Sequence, residues 1–199
     1  RRLTNPQKGP DIVSPVIPPS PSAADYAAGG DRPLIAVGDD PIAFFRDWMT
    51  EARAKEPNDS NAMSLATVDS DGMPDVRIVL LKEISDAGFS FFTNLQSQKG
   101  QQLAENPRAA LCLHWKSLRR QVRVRGTITR VSGEEADTYF ASRAAQSRIS
   151  AIASDQSRPL SDRAIFEQRI AEVSEVYGDG PDIPRPEFWG GFRLAPTEI

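Results

Sequence analysis

The sequence predicts a mainly β fold with inserted helices (α+β), its strands antiparallel and closed into a barrel or a tightly curled sheet. Three observations predict it. Short runs of alternating character recur through the chain, the clearest being Arg119-Arg120-Gln121-Val122-Arg123-Val124-Arg125-Gly126. There Arg119, Gln121, Arg123 and Arg125 share one face and Val122 and Val124 the other, which is the period of a half-buried strand. Turn chemistry, Asp69-Ser70-Asp71-Gly72 and Asp86-Ala87-Gly88, separates neighbouring runs. Helix signatures with their own capping residues fall between the strands, not in a separate block.

Residues 1–40 are rich in Pro, Gly, Ala and Ser without sustained periodicity, as in Pro18-Pro19 and Ala27-Ala28-Gly29-Gly30. They read as a flexible, Pro-rich N-terminal tail ahead of one domain spanning 41–199. Asp40-Pro41 pairs a capping residue with Pro at the first helical position, and Ile42, Phe45, Trp48, Met49 and Ala52 follow at helical spacing to about Lys55. Ala62–Val68 and Val76–Lys82 form a hairpin, and Phe89–Thr93 is a third strand. Ser97 caps a short helix that stops near Asn106-Pro107. Ala109–Trp115 is an apolar strand, and the basic strand runs from about Gln121 to Val131. Ser132 with Glu135 three residues on is a capping box opening a helix with Tyr139 and Phe140. A weaker helical stretch covers Ser147–Ser154. Ser161 caps a helix with the stripe Ile165/Phe166, Ile170, Val173 and Val176/Tyr177, ended by Gly178. A Pro-rich connector and a last strand, Phe188–Leu194, complete five or six strands.

Composition narrows the function classes. A chain of 199 residues, 39% hydrophobic with mean hydropathy −0.42, suits one soluble domain with a sizeable core. No apolar run approaches the ~18–20 residues that span a bilayer, and no signal-peptide pattern opens the chain. The first residue is Arg, so the sequence reads as a piece of a longer or processed chain. One cysteine, Cys112, and one histidine, His114, exclude a Cys/His zinc site. Cys112, in an apolar run, reads as a buried structural thiol. A cytoplasmic protein with no metal and no membrane partner is the expectation.

Three features could hold an anion. Arg77 and Lys82 bracket the apolar strand Ile78-Val79-Leu80-Leu81. Ser97 and Lys99 stand at a helix start, where free N–H groups and the helix dipole favour a phosphate. The basic strand is the third, local in a chain of net charge −3. An Arg-rich strand face is equally the mark of a solvated surface paired with carboxylates, and both readings stand at this point. No nucleophile elbow, His/Asp pairing or metal-ligand spacing appears, and His114 reads as a strand-face or core residue. If the protein is an enzyme, a bound cofactor carries the chemistry and the chain supplies cations and orientation. An acidic pI near 5.3 speaks against a nucleic-acid partner.

The motifs together resemble one family. Arg77-Ile78-Val79-Leu80-Leu81-Lys82, Phe89-Ser90-Phe91-Phe92-Thr93-Asn94, Ser97-Gln98-Lys99-Gly100, Leu118-x-Arg120-Gln121-Val122-Arg123, Tyr139-Phe140-x-Ser142-Arg143, Gln156-Ser157 and Trp189-Gly190-Gly191-Phe192-Arg193 follow one another as in pyridoxamine 5′-phosphate oxidase. The resemblance covers roughly 41–199. It implies an FMN-binding split β-barrel, antiparallel, assembled as a homodimer with FMN at the interface. It also implies oxidation of pyridoxamine or pyridoxine 5′-phosphate to pyridoxal 5′-phosphate, with molecular oxygen reduced to hydrogen peroxide. By position, Arg77, Ile78, Val79, Leu80, Leu81, Lys82, Phe92, Thr93, Lys99, Gln121, Gln156 and Ser157 are the implied FMN contacts. Lys82, Tyr139, Arg143 and Ser147 are the implied substrate contacts, the last three around its phosphate. No residue is assigned a catalytic role.

The sequence departs from the family in three places. Gln98 stands where the family usually has Arg. The family's Ser-Arg-Pro-x-x-Ser-Gln-Ile-Gly-Ala-Trp run is here Ser142-Arg143-Ala144-Ala145-Gln146-Ser147-Arg148-Ile149-Ser150-Ala151-Ile152, which keeps Arg143 and Ser147. The family's C-terminal segment, with a flavin-contacting Trp and an Arg-x-His, lies beyond Thr197-Glu198-Ile199. Two alternatives follow: a sibling split-barrel flavin oxidase of the phenazine-biosynthesis type, or a flavin- or pyridoxal-phosphate-binding protein without turnover.

Overall fold

A computed structural model describes residues 22–27, 40–178, 180 and 182–199. The chain divides into two compact units, Arg1–Gly38 and Asp39–Ile199. In the first, the described residues form a short helix, α1 (Ala23–Ala27), where Ser22 and Asp25 exchange hydrogen bonds in capping-box fashion. The rest of the proposed tail lies outside the described residues.

In the second unit, alternation and turn chemistry resolve into one antiparallel sheet of seven strands, ordered β2-β1-β5-β6-β7-β4-β3. The strands are β1 (Ala62–Val68), β2 (Pro74–Leu80), β3 (Glu83–Ser85), β4 (Gly88–Asn94), β5 (Arg108–Trp115), β6 (Arg120–Arg130) and β7 (Trp189–Glu198). The helices are α2 (Pro41–Lys55), α3 (Gln98–Glu105), α4 (Gly133–Ala141), α5 (Ala145–Ala153) and α6 (Arg163–Tyr177). On the basic strand, Val122 and Val124 are buried while Gln121, Arg123 and Arg125 are exposed, as the alternation requires.

The structure corrects the sequence reading at several boundaries. Among the described residues there are seven strands, not five or six, because β3 is only three residues long and so carries no periodicity of its own. Gly88, at φ +128°, completes the β3–β4 turn, and a Cβ there would lie 2.0 Å from the Leu194 carbonyl oxygen. β7 runs on to Glu198; Pro196 disguised it, and it is tolerated where a register shift at Arg125/Gly126 marks a bulge. Asp162, not Ser161, caps α6, accepting from the Ala164 N–H at 2.8 Å. α5 starts at Ala145 without a side-chain cap. Cys112 is half-buried and not fully enclosed.

Two apolar clusters hold the unit together. The larger fills the curl of the sheet: Leu65, Leu111, Leu113, Val124 and Leu194 from the strands meet Phe45 and Ala52 of α2. Phe45 meets Phe89 edge to face at 5.1 Å. The smaller cluster, Phe140, Ile149, Ile183 and Trp189, joins α4 and α5 to the start of β7. Through Trp189 it reaches the cavity described below.

Candidate functional site

A cavity of about 780 Å³ opens between β2 and β4 on one side and α4 and α5 on the other. β2 contributes Ile78, Val79 and Leu80, β4 contributes Phe92, Thr93 and Asn94, and Lys82 follows β2. Lys99 enters from α3, Gln156 from the turn after α5, and Tyr139, Arg143 and Ser147 from α4 and the start of α5. Residues drawn from positions 78 to 189 thus share one space.

The first cationic group is built by the start of α3. Ser97 accepts from the Gly100 N–H and donates to the Asn94 carbonyl at 2.6 Å, fixing the first turn. Gly100 is required there, since a Cβ would sit 2.2 Å from the Leu95 carbonyl oxygen. Lys99, 7% exposed, is then held by the Gln156 side-chain oxygen at 2.7 Å and by Ser97 Oγ at 3.3 Å. Thr93 Oγ1 donates to the same Gln156 oxygen at 3.0 Å. Among the described residues no carboxylate forms an ion pair with Lys99. Burial, with the positive charge of Arg77 adding to it, pulls its amine down to about 8, against an upward pull from Asp75.

The second is built around α4. Its N-terminus is a capping box between Ser132 and Glu135, and Arg193 of β7 binds Glu135 at 2.5 Å and Glu83 at 3.1 Å. The Arg193 hydrogen bond is the chief reason the Glu135 carboxyl is lowered to about 2. Arg185 binds Asp137 at 2.6 Å and the Trp189 carbonyl at 2.7 Å, a second tie between α4 and the β7 segment. Held this way, α4 presents Tyr139, which stacks on Phe92 at 4.1 Å, with the Lys82 ammonium 5.9 Å from its ring. Arg143 lies 5.1 Å from the Trp189 ring centre and 5.6 Å from that of Phe140. Its Nη1 is buried with no hydrogen-bond partner, and burial lowers its pKa. A half-buried cation that lines a cavity and keeps a donor without a protein partner is suited to an anion.

Of the residues singled out from the sequence, Ile78, Val79, Leu80, Lys82, Phe92, Thr93, Lys99, Tyr139, Arg143, Ser147 and Gln156 line this cavity. Four do not. Arg77 turns the other way and binds Thr67 Oγ1, the Leu65 carbonyl, Gln102 and Asp75, reaching the cavity only through its field on Lys99. Leu81 is core. Gln121 lies exposed on the outer face of β6 opposite His114, and Ser157 sits exposed at φ +70° beside Gln156. Sequence reading missed Trp189, Asn94 and Ser150, which also line the space. Trp189 reads in sequence as an ordinary strand aromatic, and its indole becomes a wall only once α4 packs on it.

The residues fit a flavin mononucleotide chemically. Lys99, Thr93 and Gln156 offer polar contacts for its phosphate, and the apolar Ile78-Val79-Leu80 edge suits a planar ring.

Curled antiparallel strands with a cation-lined cleft beside the barrel define the split-barrel class. The chain matches the family described as pyridoxamine 5′-phosphate oxidase over residues 49–177. It is 76% identical over 188 residues to the pyridoxine/pyridoxamine 5′-phosphate oxidase of Hyphomonas neptunium, covering 94% of this chain and 86% of that protein. The protein of the same name from Maricaulis maris is 55% identical, covering 92% of this chain and 83% of its own. Among solved structures, PhzG from Burkholderia lata, in complex with tetrahydrophenazine-1-carboxylic acid, aligns with TM-score 0.74 at 29% identity, covering 80% of this chain and 77% of that one. A pyridoxamine 5′-phosphate oxidase-related, FMN-binding protein from Nostoc punctiforme shares the fold at TM-score 0.64 and 18% identity, over 81% and 84% of the two chains. The chain belongs to the pyridoxamine 5′-phosphate oxidase family. Among the described residues no helix is long and apolar enough to cross a membrane.

Proposed function

We propose that the chain is an FMN-dependent oxidase that converts pyridoxamine 5′-phosphate or pyridoxine 5′-phosphate to pyridoxal 5′-phosphate, reducing oxygen to hydrogen peroxide. The observation that carries this reading is the pairing, in one cavity, of two cations with spare capacity for phosphate: Lys99 and Arg143. One ligand with a phosphate leaves one of them idle; a flavin nucleotide and a phosphorylated substrate together use both.

In this reading Lys99, Thr93 and Gln156 hold the FMN phosphate, and Ile78, Val79 and Leu80 cover one side of the ring. Arg143, Tyr139 and Ser147 take the substrate phosphate, and Lys82 stands over the Tyr139 ring. The bound flavin supplies hydride acceptance and reaction with oxygen. What the chain contributes is orientation, holding the substrate 4′ carbon against the ring, together with charge complementary to two phosphates.

The active form in this reading is a homodimer. The edge strand β2 exposes Val76 at 63%, Ile78 at 65% and Leu80 at 37%, an apolar row on the outer sheet face. Gln121 lies on that same side of the sheet but does not line its own chain's cavity. A second copy covering this face buries the row and brings Gln121 toward the partner's flavin.

The test is direct. Purified protein saturated with FMN is mixed in air with pyridoxamine 5′-phosphate, and peroxide and the aldehyde product are followed. Formation of both supports the reading; bound FMN with neither product refutes the activity and leaves a binding protein without turnover. The likeness to PhzG supports a second reading, a sibling flavin oxidase acting on a phosphate-free aromatic acid. Under that reading Arg143→Ala leaves turnover unchanged.

A further inference from the structure

Phe140 and Trp189 meet edge to face, ring centres 4.9 Å apart and planes at 67°, and make an aromatic corner. The Arg143 guanidinium lies in that corner, within cation–π range of both rings. Both rings are nearly closed to solvent, Phe140 at 1% and Trp189 at 6%. Trp189 is itself fixed: it stacks on Phe92 at 5.5 Å and 9°, and its carbonyl accepts from Arg185, which also binds Asp137 of α4.

Arg143 has no carboxylate within ion-pair reach among the described residues, and its side chain makes no hydrogen bond there. A long side chain without such ties ordinarily samples many rotamers, and a half-buried guanidinium without a counter-charge is costly. The ring faces answer both problems. They offer negative electrostatic potential to the cation while taking up none of its N–H donors. A carboxylate in the same place would occupy those donors and neutralise the charge.

We propose that Trp189, together with Phe140, is a positioning residue that holds Arg143 as the phosphate receptor of the cavity. Trp189 thereby sets the preference for a phosphorylated over a dephosphorylated substrate. The inference rests on the reading that this cavity takes a phosphate monoester. Trp189 acts on the ligand through Arg143, and so its effect exists only while Arg143 is present.

The experiment compares wild type, Trp189→Leu, Trp189→Phe, Arg143→Ala and the Trp189→Leu/Arg143→Ala double variant, each FMN-saturated and checked for folding by near-ultraviolet circular dichroism. Each is titrated calorimetrically with pyridoxamine 5′-phosphate, with pyridoxamine and with inorganic phosphate. Trp189→Leu should weaken pyridoxamine 5′-phosphate about tenfold and pyridoxamine far less, the loss appearing chiefly as a raised KM. Trp189→Phe, which keeps a ring face, should recover most of the loss, and in the Arg143→Ala background Trp189→Leu should have no further effect. Equal weakening of both vitamers, or losses that multiply in the double variant, would overturn the proposal. Should Trp189→Leu not fold, Phe140→Leu removes the other ring and is judged by the same criteria. If neither vitamer binds but inorganic phosphate does, in an Arg143-dependent way, the oxidase reading fails while the phosphate titrations still decide the role of Trp189.

Discussion

Lys99 and Gln156, 57 residues apart in sequence, meet at 2.7 Å and close one end of the cavity between the first turn of α3 and the turn after α5. The contact satisfies a buried ammonium without neutralising it, because an amide oxygen carries no net charge. Lys99 therefore keeps its charge for a ligand, at the cost of a lowered pKa.

That lowering sets a pH window. Lys99 titrates near 8, whereas a lysine of the unfolded chain stays protonated to about 10.5. Between those values the unfolded state binds more protons, so the stability of the flavin-free protein rises with pH. Phosphate binding requires the protonated amine, so FMN affinity moves oppositely and falls as pH passes from 7 to 9. Lys99→Met should weaken FMN by about 1.5–3 kcal/mol at pH 7 and flatten that fall. Flavin-fluorescence titrations across the range check both.

Gly100→Ala tests the packing beneath Lys99. The new methyl meets the Leu95 carbonyl oxygen at 2.2 Å, where backbone must move. A loss of about 1–3 kcal/mol in denaturant unfolding is expected, with weakened flavin binding because Lys99 moves with the turn. Gly133→Ala, with nothing within 4 Å of the added carbon, should change neither.

Glu135 predicts the acid limb. Arg193 and the capping contacts hold its carboxyl near 2, below its ordinary 4.5. Its stabilising contribution is complete above 4.5 and is lost as pH falls toward 2. Because the side chain is 41% exposed, the effect is modest. Glu135→Gln keeps an oxygen for the cap, so the thermal unfolding midpoint of the variant should fall less steeply than wild type between those values.

Ile78→Asp addresses assembly. A charge in the exposed row of β2 should prevent a second copy from covering that face. Sedimentation should show a dimer for wild type and a monomer for the variant, the monomer binding FMN more weakly. A variant that sediments like wild type and binds FMN as tightly would remove this face from the interface.

Much of the fold was legible because its cues are local. Alternation at 119–126 placed β6, Asp40-Pro41 and Ser132/Glu135 placed two helix starts, and Gly178 ended a third helix. β3 was not legible, since three residues carry no period and their strand state depends on pairing with β4. The reach of β7 was hidden by Pro196, whose presence in a strand is acceptable only because a bulge on β6 lies opposite.

Sequence alone determined which residues carry charge, where the chain turns, and, through motifs in a fixed order, the family. Tertiary structure decided direction. Arg77 and Lys99 are both cations in a motif, yet Arg77 faces Asp75 and Gln102 while Lys99 faces the cavity, because strand pleat and helix start point their side chains differently. It also decided that Trp189, a residue of the last strand, stands against Arg143 at the end of α4, 46 positions earlier in the numbering. Such a contact depends on long-range packing across the second apolar cluster, and no local period in the sequence encodes that distance.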